Sequence, residues 1–354
     1  MTRAKRIAAL KTTAQKRIII MDGAMGSCLQ QIKLDEADYR GERFKNHPID
    51  LKGNHDILNI TRPDVIRNVH LDYFRAGADI VETNTFSATP VSQDDYGMAD
   101  LAYEIAKTGA ELAREAADIM TLETPHQPRY VAGAIGPTNK TLSVSPKVED
   151  PGFRAISFDE LKDAYKVNAK GLLDGGADYL LVETIFDTLN AKAAIMAVEE
   201  LKDERDEDIA LSLSVTVTDA SGRTLSGQTV EAFWRSIRHA NPLTVGMNCA
   251  FGAKDLRPFV GSLAAEADTL LCAYPNAGLP DELGEYTEEP DDTACELSTW
   301  ADDGILNFVG GCCGTTPDHI KAIAAIVKNR PPRTVPKHTP ELRLSGLEPM
   351  VMIK

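Results

Sequence analysis

Three cysteines stand where their sulfurs could serve one reactive centre. Cys312 and Cys313 are adjacent within a Gly-Gly-Cys-Cys-Gly run, and Cys249 lies well upstream of them. Neighbouring residues of a regular strand point to opposite faces, but the flanking glycines permit torsions that bring both thiols to one side. Three sulfur ligands with one open position are typical of catalytic zinc, whereas structural zinc has four fixed ligands. The pattern therefore predicts that Cys249, Cys312 and Cys313 hold a catalytic Zn²⁺ ion.

The chemistry of such a centre follows from its charge. Sulfur ligands favour zinc over harder cations. A thiol that binds at the open position loses its proton, because a coordinated thiol ionises far below its free pKa of ~8.5. With a fourth thiolate the centre is strongly negative, which keeps the bound sulfur nucleophilic. We therefore expect attack by a thiol substrate on a methyl group, rather than activation of water.

The cysteine pattern has two other interpretations. The thiols are also compatible with simple packing as small apolar side chains. The glycine-rich turn before Thr315 and Thr316 is compatible with a phosphate cradle at a helix N-terminus. The remaining cysteines are expected to be ordinary buried or loop residues, namely Cys28, Cys272 and Cys295.

Two acidic residues, Asp22 and Glu183, occupy comparable positions at the ends of apolar runs. Each could form an ion pair with a lysine or arginine, or both could receive the ammonium group of a substrate. Backbone N–H groups at Gly23 and Ala24 could bind a carboxylate, as irregular backbone in a turn can. An amino acid that carries a thiol would match the acids, the amides and the zinc together.

The elements that position these residues are short, nearly continuous apolar runs. Runs that are apolar on both faces are typical of strands in a buried parallel sheet. Their alternation with segments of helical spacing predicts an α/β fold, a (β/α)8 TIM barrel, in which reacting groups collect at the C-terminal strand ends. The predicted strands are residues 17–21, 79–82, 130–135, 179–182, 209–217, 244–247, 269–273 and 305–309.

A two-domain dinucleotide-binding fold is the competing architecture. It is disfavoured because the glycines after the first strand, at Gly23 and Gly26, lack the G-x-G-x-x-G spacing. Start signals such as Ser157 and Thr316 support helices between the strands. The predicted helices are residues 63–76, 98–120, 158–173, 188–201, 230–240, 255–263 and 317–327.

The two ends of the chain differ from the repeating part. The basic N-terminus could be a transit peptide. Its apolar residues Ile7, Leu10 and Ala14 instead favour an amphipathic helix under the barrel. We expect the barrel to occupy residues 1–330 and a proline-rich extended tail, including Pro340, to occupy residues 331–354. The tail is either a surface segment that wraps the barrel or a linker toward another module.

The composition of the chain limits the kinds of binding partner that we expect. The chain has 354 residues and a net charge of −15, which repels phosphate backbones and makes nucleic acid an unexpected partner. No apolar run approaches the ~20 residues that cross a bilayer, so no membrane association is expected. Six cysteines in a long chain without a secretory signal favour a reduced, cytoplasmic protein.

Several motifs resemble those of the homocysteine methyltransferase family. The resemblance covers nearly the whole chain in order, and within the family the chain is most similar to the N-terminal homocysteine-binding module of cobalamin-dependent methionine synthase. The loop 136–146 and the segment 344–349 support that subgroup. The motifs are Asp22-Gly23-Ala24-Met25-Gly26, Glu82-Thr83-Asn84-Thr85-Phe86, Gly136-Pro137, Glu183-Thr184, Gly246-Met247-Asn248-Cys249 and Gly310-Gly311-Cys312-Cys313-Gly314.

The resemblance implies a set of roles for residues at the strand ends. It implies zinc ligation by the three cysteines, binding of the homocysteine amino group by Asp22 and Glu183, and a carboxylate near Gly23 and Ala24. Asn84 and Asn248 match family motif positions and are expected at the substrate site.

The resemblance also implies a methyl donor and a partner. We expect methylcobalamin, carried by a cobalamin- and folate-binding methionine synthase subunit or module. A self-sufficient enzyme that uses S-methylmethionine or betaine, and a homocysteine-binding subunit without catalysis, are the alternatives.

Overall fold

Parallel strands form a barrel, as the apolar runs predicted. The computed structural model describes residues 1–338 and 342–352. The strands are β1 Ile19–Ile20, β2 Ile80–Glu82, β3 Tyr130–Ile135, β4 Tyr179–Ile185, β5 Leu211–Val215, β6 Thr244–Gly252, β7 Leu270–Asn276 and β8 Phe308–Val309. They are hydrogen-bonded in the order β1-β8-β7-β6-β5-β4-β3-β2, and a parallel bridge from Met21 to Ile80 joins the two ends. The (β/α)8 prediction is confirmed, and the dinucleotide-binding alternative is wrong.

Helices cover the outside of the barrel. Their bounds are α1 Arg3–Ala14, α2 Met25–Ile32, α3 Glu36–Arg40, α4 Leu58–Thr61, α5 Pro63–Ala76, α6 Pro90–Gln93, α7 Ala102–Glu123, α8 Phe158–Asp174, α9 Thr188–Arg205, α10 Val230–Ile237, α11 Ala253–Glu266, α12 Pro290–Asp302 and α13 Pro317–Val327. The predicted ends of α5 and α13 are confirmed. At α8 the predicted start is confirmed as well, because Ser157 and Glu160 form a capping box.

The sequence prediction omitted α12, although its start carries a recognisable signal. Pro290 occupies the first turn, followed by Asp291 and Asp292. Proline and acidic residues are favoured there, because proline needs no N–H partner and the helix dipole attracts negative charge. The short α2 was also omitted, and it proves to matter for the site.

The N-terminal helix α1 lies at the N-terminal ends of the strands, and the amphipathic prediction is confirmed. Ile7, Leu10 and Ala14 are buried in an apolar cluster with residues of the barrel interior. The Arg3 guanidinium donates to the carbonyls of Leu173 and Ala177, at 2.6 and 2.8 Å, just before β4. This end of the barrel is therefore covered, and the opposite end remains for chemistry.

The tail after α13 lies against the barrel. Arg333 is buried, and its guanidinium donates to the carbonyls of Ala264, Ala267 and Thr269 at 2.5–3.1 Å, which caps the C-terminal end of α11. Further on, β9 Arg343–Ser345 and β10 Pro349–Val351 form an antiparallel hairpin beside α10. Pro340 and the predicted tail end at Lys354 lie outside the described residues.

Within residues 1–338 and 342–352, no helix combines the length and the apolar character needed to cross a bilayer.

Candidate metal centre and amino-acid pocket

The sulfurs of Cys249, Cys312 and Cys313 come together at the C-terminal rim of the barrel. Cys313 Sγ lies 3.9 Å from Cys249 Sγ and 4.0 Å from Cys312 Sγ, and all three sulfurs lie within 4.8 Å of one another. A tetrahedral zinc with Zn–S bonds of ~2.3 Å requires sulfurs about 3.8 Å apart. All three residues are partly exposed and none forms a disulfide. The thiols therefore fit a zinc ion that a substrate can reach.

Cys249 reaches this position through an irregular strand end. Its φ of 61° and the φ of 65° at Ala250 are left-handed, although neither residue is glycine. The pairing of β6 with β7 shifts register between Asn248 and Gly252. Such torsions cost about 1–3 kcal/mol per residue and persist where the surroundings hold them. The strained backbone places the Cys249 sulfur beside Cys313.

The loop that carries Cys312 and Cys313 is held by hydrogen bonds to its neighbours. Cys312 N donates to Pro275 O at 2.7 Å, and Gly314 N donates to Ser27 Oγ at 2.9 Å. Thr315 N donates to Cys312 O at 3.0 Å. Because these N–H groups already have protein acceptors, the loop does not fit the alternative of a phosphate cradle.

Asn276 at the end of β7 offers an additional donor to the centre. Its side chain is buried, and Oδ1 has no hydrogen-bond partner in the described part of the chain. The side chain lies beside Cys249, where it contributes to lowering the pKa of that thiol, after the larger effects of Cys312 and Cys313. This neutral oxygen could complete the coordination of a metal before substrate arrives.

Asp22 and Glu183 lie together with a third acid, Glu82, in a buried pocket near the thiols. Asp22 is 3% exposed and Glu183 is 5% exposed. Asp22 Oδ2 accepts from Glu82 N at 3.0 Å, whereas Asp22 Oδ1 is buried and has no hydrogen-bond partner among the described residues. Among residues 1–338 and 342–352, no lysine or arginine contributes to the shifted pKa of Asp22 or of Glu183. The alternative of a structural ion pair is therefore not supported.

Burial is the main cause of the raised pKa values of these three carboxyl groups. Burial raises the pKa of Glu183 to about 8, and the charge of Cys249 adds to the rise. Burial also raises the pKa of Asp22 and of Glu82 well above the ordinary range, with a further contribution from Glu183 in both cases. Buried acids without cations are the arrangement that a substrate ammonium group would stabilise.

Sequence reasoning gave Glu82 no role in this pocket. Glu82 is the last residue of β2, as Asp22 follows β1 and Glu183 lies near the end of β4. Its position as an acid at the C-terminal end of a barrel strand was therefore the sequence signal that could have predicted a place in the pocket. Its contact with Asp22 depends on the closure of the barrel between β1 and β2.

The backbone at Gly23 and Ala24 differs in part from the prediction. Ala24 N donates to Thr315 Oγ1 at 3.2 Å, so this N–H group is already occupied. The helix α2 begins at the next residue, Met25, without a side-chain cap. The first N–H groups of a helix lack partners and attract anions. The start of α2, rather than Ala24 N itself, is thus the better donor for a carboxylate.

The two asparagines, Asn84 and Asn248, are both buried and bound to protein atoms. Asn84 Nδ2 donates to His55 O at 2.8 Å and to Asn59 Oδ1 at 3.1 Å. Asn248 Nδ2 donates to Thr184 Oγ1 at 2.8 Å and lies 4.0 Å from Cys312 Sγ. These contacts favour positioning roles at the site over direct contact with substrate.

The fold and the site define a class, that of (β/α)8 barrels with a cluster of three thiols beside a buried acidic pocket. The chain belongs to the homocysteine S-methyltransferase family, whose model matches residues 19–327.

Solved structures agree with this assignment. The chain is similar to the homocysteine methyltransferase MmuM from Escherichia coli in its oxidized form, with 25% identity and a TM-score of 0.67 over 87% of this chain and 95% of that one. The metallated form of the same protein has 24% identity and a TM-score of 0.68, with 92% and 99% covered.

Proposed function

We propose that this protein is a zinc-dependent homocysteine S-methyltransferase that forms methionine. The observation that supports this most strongly is the approach of Cys249, Cys312 and Cys313 to within 4.8 Å of one another at an accessible rim. When bound, zinc would supply the Lewis acidity that keeps a substrate thiol deprotonated and nucleophilic at neutral pH.

The choice of homocysteine rests on three groups in one site. The thiols mark the position of the substrate sulfur, and the acids Asp22 and Glu183 favour the ammonium group. The start of α2, at Met25, makes no side-chain cap hydrogen bond with the described residues, so its first N–H groups are available to the carboxylate. Together these contacts would orient an amino acid so that its thiol faces the metal.

Other residues of the chain would assist the metal, position the strand ends and exclude water. Asn276 would offer a neutral oxygen to a bound metal until the substrate thiol arrives, because its buried Oδ1 has no hydrogen-bond partner in the described part of the chain. Asn248 and Asn84 keep the strand ends in place, and burial of the acids excludes water from the ammonium group. The substrate thiolate then attacks the methyl carbon of the donor: a C–S bond forms, the bond from that carbon to the donor breaks, and its electron pair leaves with the donor, so that the sulfur becomes the thioether of methionine.

For the methyl donor we propose methylcobalamin, held by a cobalamin- and folate-binding subunit or module of a methionine synthase in the cytoplasm. Support comes from the likeness of residues 136–146 and 344–349 to the corresponding module. S-methylmethionine and betaine are the alternative donors, and a homocysteine-binding subunit without turnover is the alternative role.

The proposal is tested by offering each donor to the zinc-loaded protein with homocysteine and measuring methionine by mass spectrometry. Methionine from methylcobalamin alone is the expected result. Methionine only from S-methylmethionine or betaine would reassign the donor, and homocysteine binding without product from any donor would exclude catalysis by this chain. Cys313→Ser should abolish turnover, whereas Cys295→Ser, which changes an exposed cysteine on α12, should not.

A further inference from the structure

The loop between β7 and α12, residues 277–289, forms a small flap beside the thiol cluster. Its two sides meet at an antiparallel bridge between Pro280 and Tyr286. Asp281 holds the turn, because its carboxylate accepts from Leu283 N at 2.8 Å and from Glu285 N at 2.9 Å. The tip is exposed to solvent, with Leu283 85% exposed.

Both ends of the flap are attached to the site. At the start, Ala277 N donates to the carbonyl of Cys313 at 2.9 Å. At the end, Glu288 Oε1 accepts from Thr293 Oγ1 at 2.5 Å, and Glu288 O contacts His319 Nε2 at 2.9 Å. The flap is thus fixed at its base, and its inner side has a defined position relative to Cys313.

Tyr286 is the flap residue that covers the thiols. Its ring packs directly on Gly314, where an added Cβ would overlap Cβ and Cγ of the tyrosine. The hydroxyl lies beside Cys313 Sγ, and Tyr286 is itself only partly exposed. A phenolic hydroxyl carries a proton that it can donate to a sulfur acceptor.

We propose that Tyr286 is a positioning residue of the metal centre, whose hydroxyl donates a hydrogen bond to the Cys313 sulfur and whose ring forms one wall of the cluster. This inference rests on the proposed function. A hydrogen bond to a ligand sulfur withdraws charge from it, and partners of this kind tune affinity and activity in metal sites. At a centre with three thiolates, the withdrawn charge reduces repulsion toward an incoming substrate thiolate.

The test compares Tyr286→Phe, which keeps the ring, with Leu283→Ala, which changes the exposed tip. Each protein is loaded with Co²⁺ for absorption spectroscopy and with Zn²⁺ for calorimetry with homocysteine. Tyr286→Phe should retain one metal per chain, shift the thiolate-to-cobalt charge-transfer band and weaken homocysteine binding about 10-fold. Leu283→Ala should match the wild type in both measurements.

The possible results distinguish a failure of the proposed role of Tyr286 from a failure of the proposed function. Wild-type band position and homocysteine affinity in Tyr286→Phe would overturn the role of Tyr286 and leave the zinc site intact. Failure of the wild-type protein itself to bind metal or homocysteine would instead overturn the proposed function. A second variant, Tyr286→Leu, removes the ring as well, and we expect the same band shift with a further loss of homocysteine affinity.

Discussion

Asn248 and Thr184 are joined by two hydrogen bonds across the ends of β6 and β4. Thr184 N donates to Asn248 Oδ1 at 3.1 Å, and Asn248 Nδ2 donates to Thr184 Oγ1 at 2.8 Å. Thr184 has a left-handed φ of 53° and follows Glu183, and Asn248 precedes the left-handed Cys249. One amide side chain therefore links the acidic pocket to the thiol cluster.

This link predicts that Asn248→Ala weakens metal binding although no ligand is changed. Loss of the amide frees the irregular ends of β4 and β6, and we expect zinc affinity to fall about 10- to 100-fold. Competition with a chromophoric chelator measures the change. The matched control is Ser214→Ala, which removes a single 2.7 Å hydrogen bond to Asn248 Oδ1 and leaves the Thr184 pair. Equal affinities for Asn248→Ala and the wild type would refute the coupling.

We expect substitutions in the acidic pocket to lower the affinity for substrate without loss of the metal. Asp22→Asn and Glu183→Gln each remove a charged partner of the ammonium group, which is worth about 1.5–3 kcal/mol, or roughly 10- to 100-fold in homocysteine affinity. Calorimetry on zinc-loaded proteins measures this. As a control ligand, 4-mercaptobutyrate lacks the amino group and should bind both variants and wild type alike. A variant that weakens both ligands equally would point to damage at the metal.

Asp56, which is not part of the thiol cluster, should make the stability of the protein depend on pH. It is buried, Oδ1 accepts from Ser87 N at 3.1 Å, and burial raises its pKa from 3.8 to about 7. Because the unfolded chain loses this proton first, the contribution to stability is full below pH 3.8 and is lost as pH rises toward 7. Asp56→Asn removes this loss, so its stability relative to wild type should increase between pH 4 and pH 8.

The size of the Asp56 effect is bounded by the shift of its pKa, at about 4 kcal/mol. Urea denaturation of wild type and Asp56→Asn at several pH values measures the difference between the two proteins. The neutral side chain keeps an oxygen for Ser87 N, so the comparison isolates the charge. A difference in unfolding free energy that stays constant with pH would contradict the shifted pKa.

Arg333 predicts that part of the tail is required for barrel stability. Arg333→Ala removes the donors that cap α11 and leaves buried carbonyls without partners, which should cost about 3 kcal/mol. Thermal or urea unfolding measures it. Arg330→Ala is the control, since Arg330 pairs with Asp302 on the surface and should contribute under about 1 kcal/mol. Comparable losses for the two variants would contradict the capping role.

The sequence predicted the barrel and its reactive end for a physical reason. Parallel strands buried on both faces are continuous apolar runs, and their C-terminal ends meet at one rim. One set of residues could therefore be placed together at this rim from the sequence alone, namely Cys249, Cys312, Cys313, Asp22 and Glu183. The same logic applied to Glu82 would have completed the acidic pocket.

Other features of the site have no local signal in the sequence. The left-handed torsions at Thr184 and Cys249 occur at residues that rarely adopt them, and they are held by contacts between distant strands. The packing of Tyr286 on Gly314 joins two loops that follow different strands. Occupation of Ala24 N by Thr315 likewise depends on how α2 meets the loop after β8.

The central claim is that three protein sulfurs leave one position for the sulfur of the substrate. Zinc X-ray absorption on the purified protein, with and without homocysteine, tests it most directly. We expect three sulfur neighbours and one lighter atom in the protein without homocysteine, and four sulfur neighbours when homocysteine is added. An unchanged set of neighbours on addition of homocysteine, or four sulfurs already present in its absence, would contradict it.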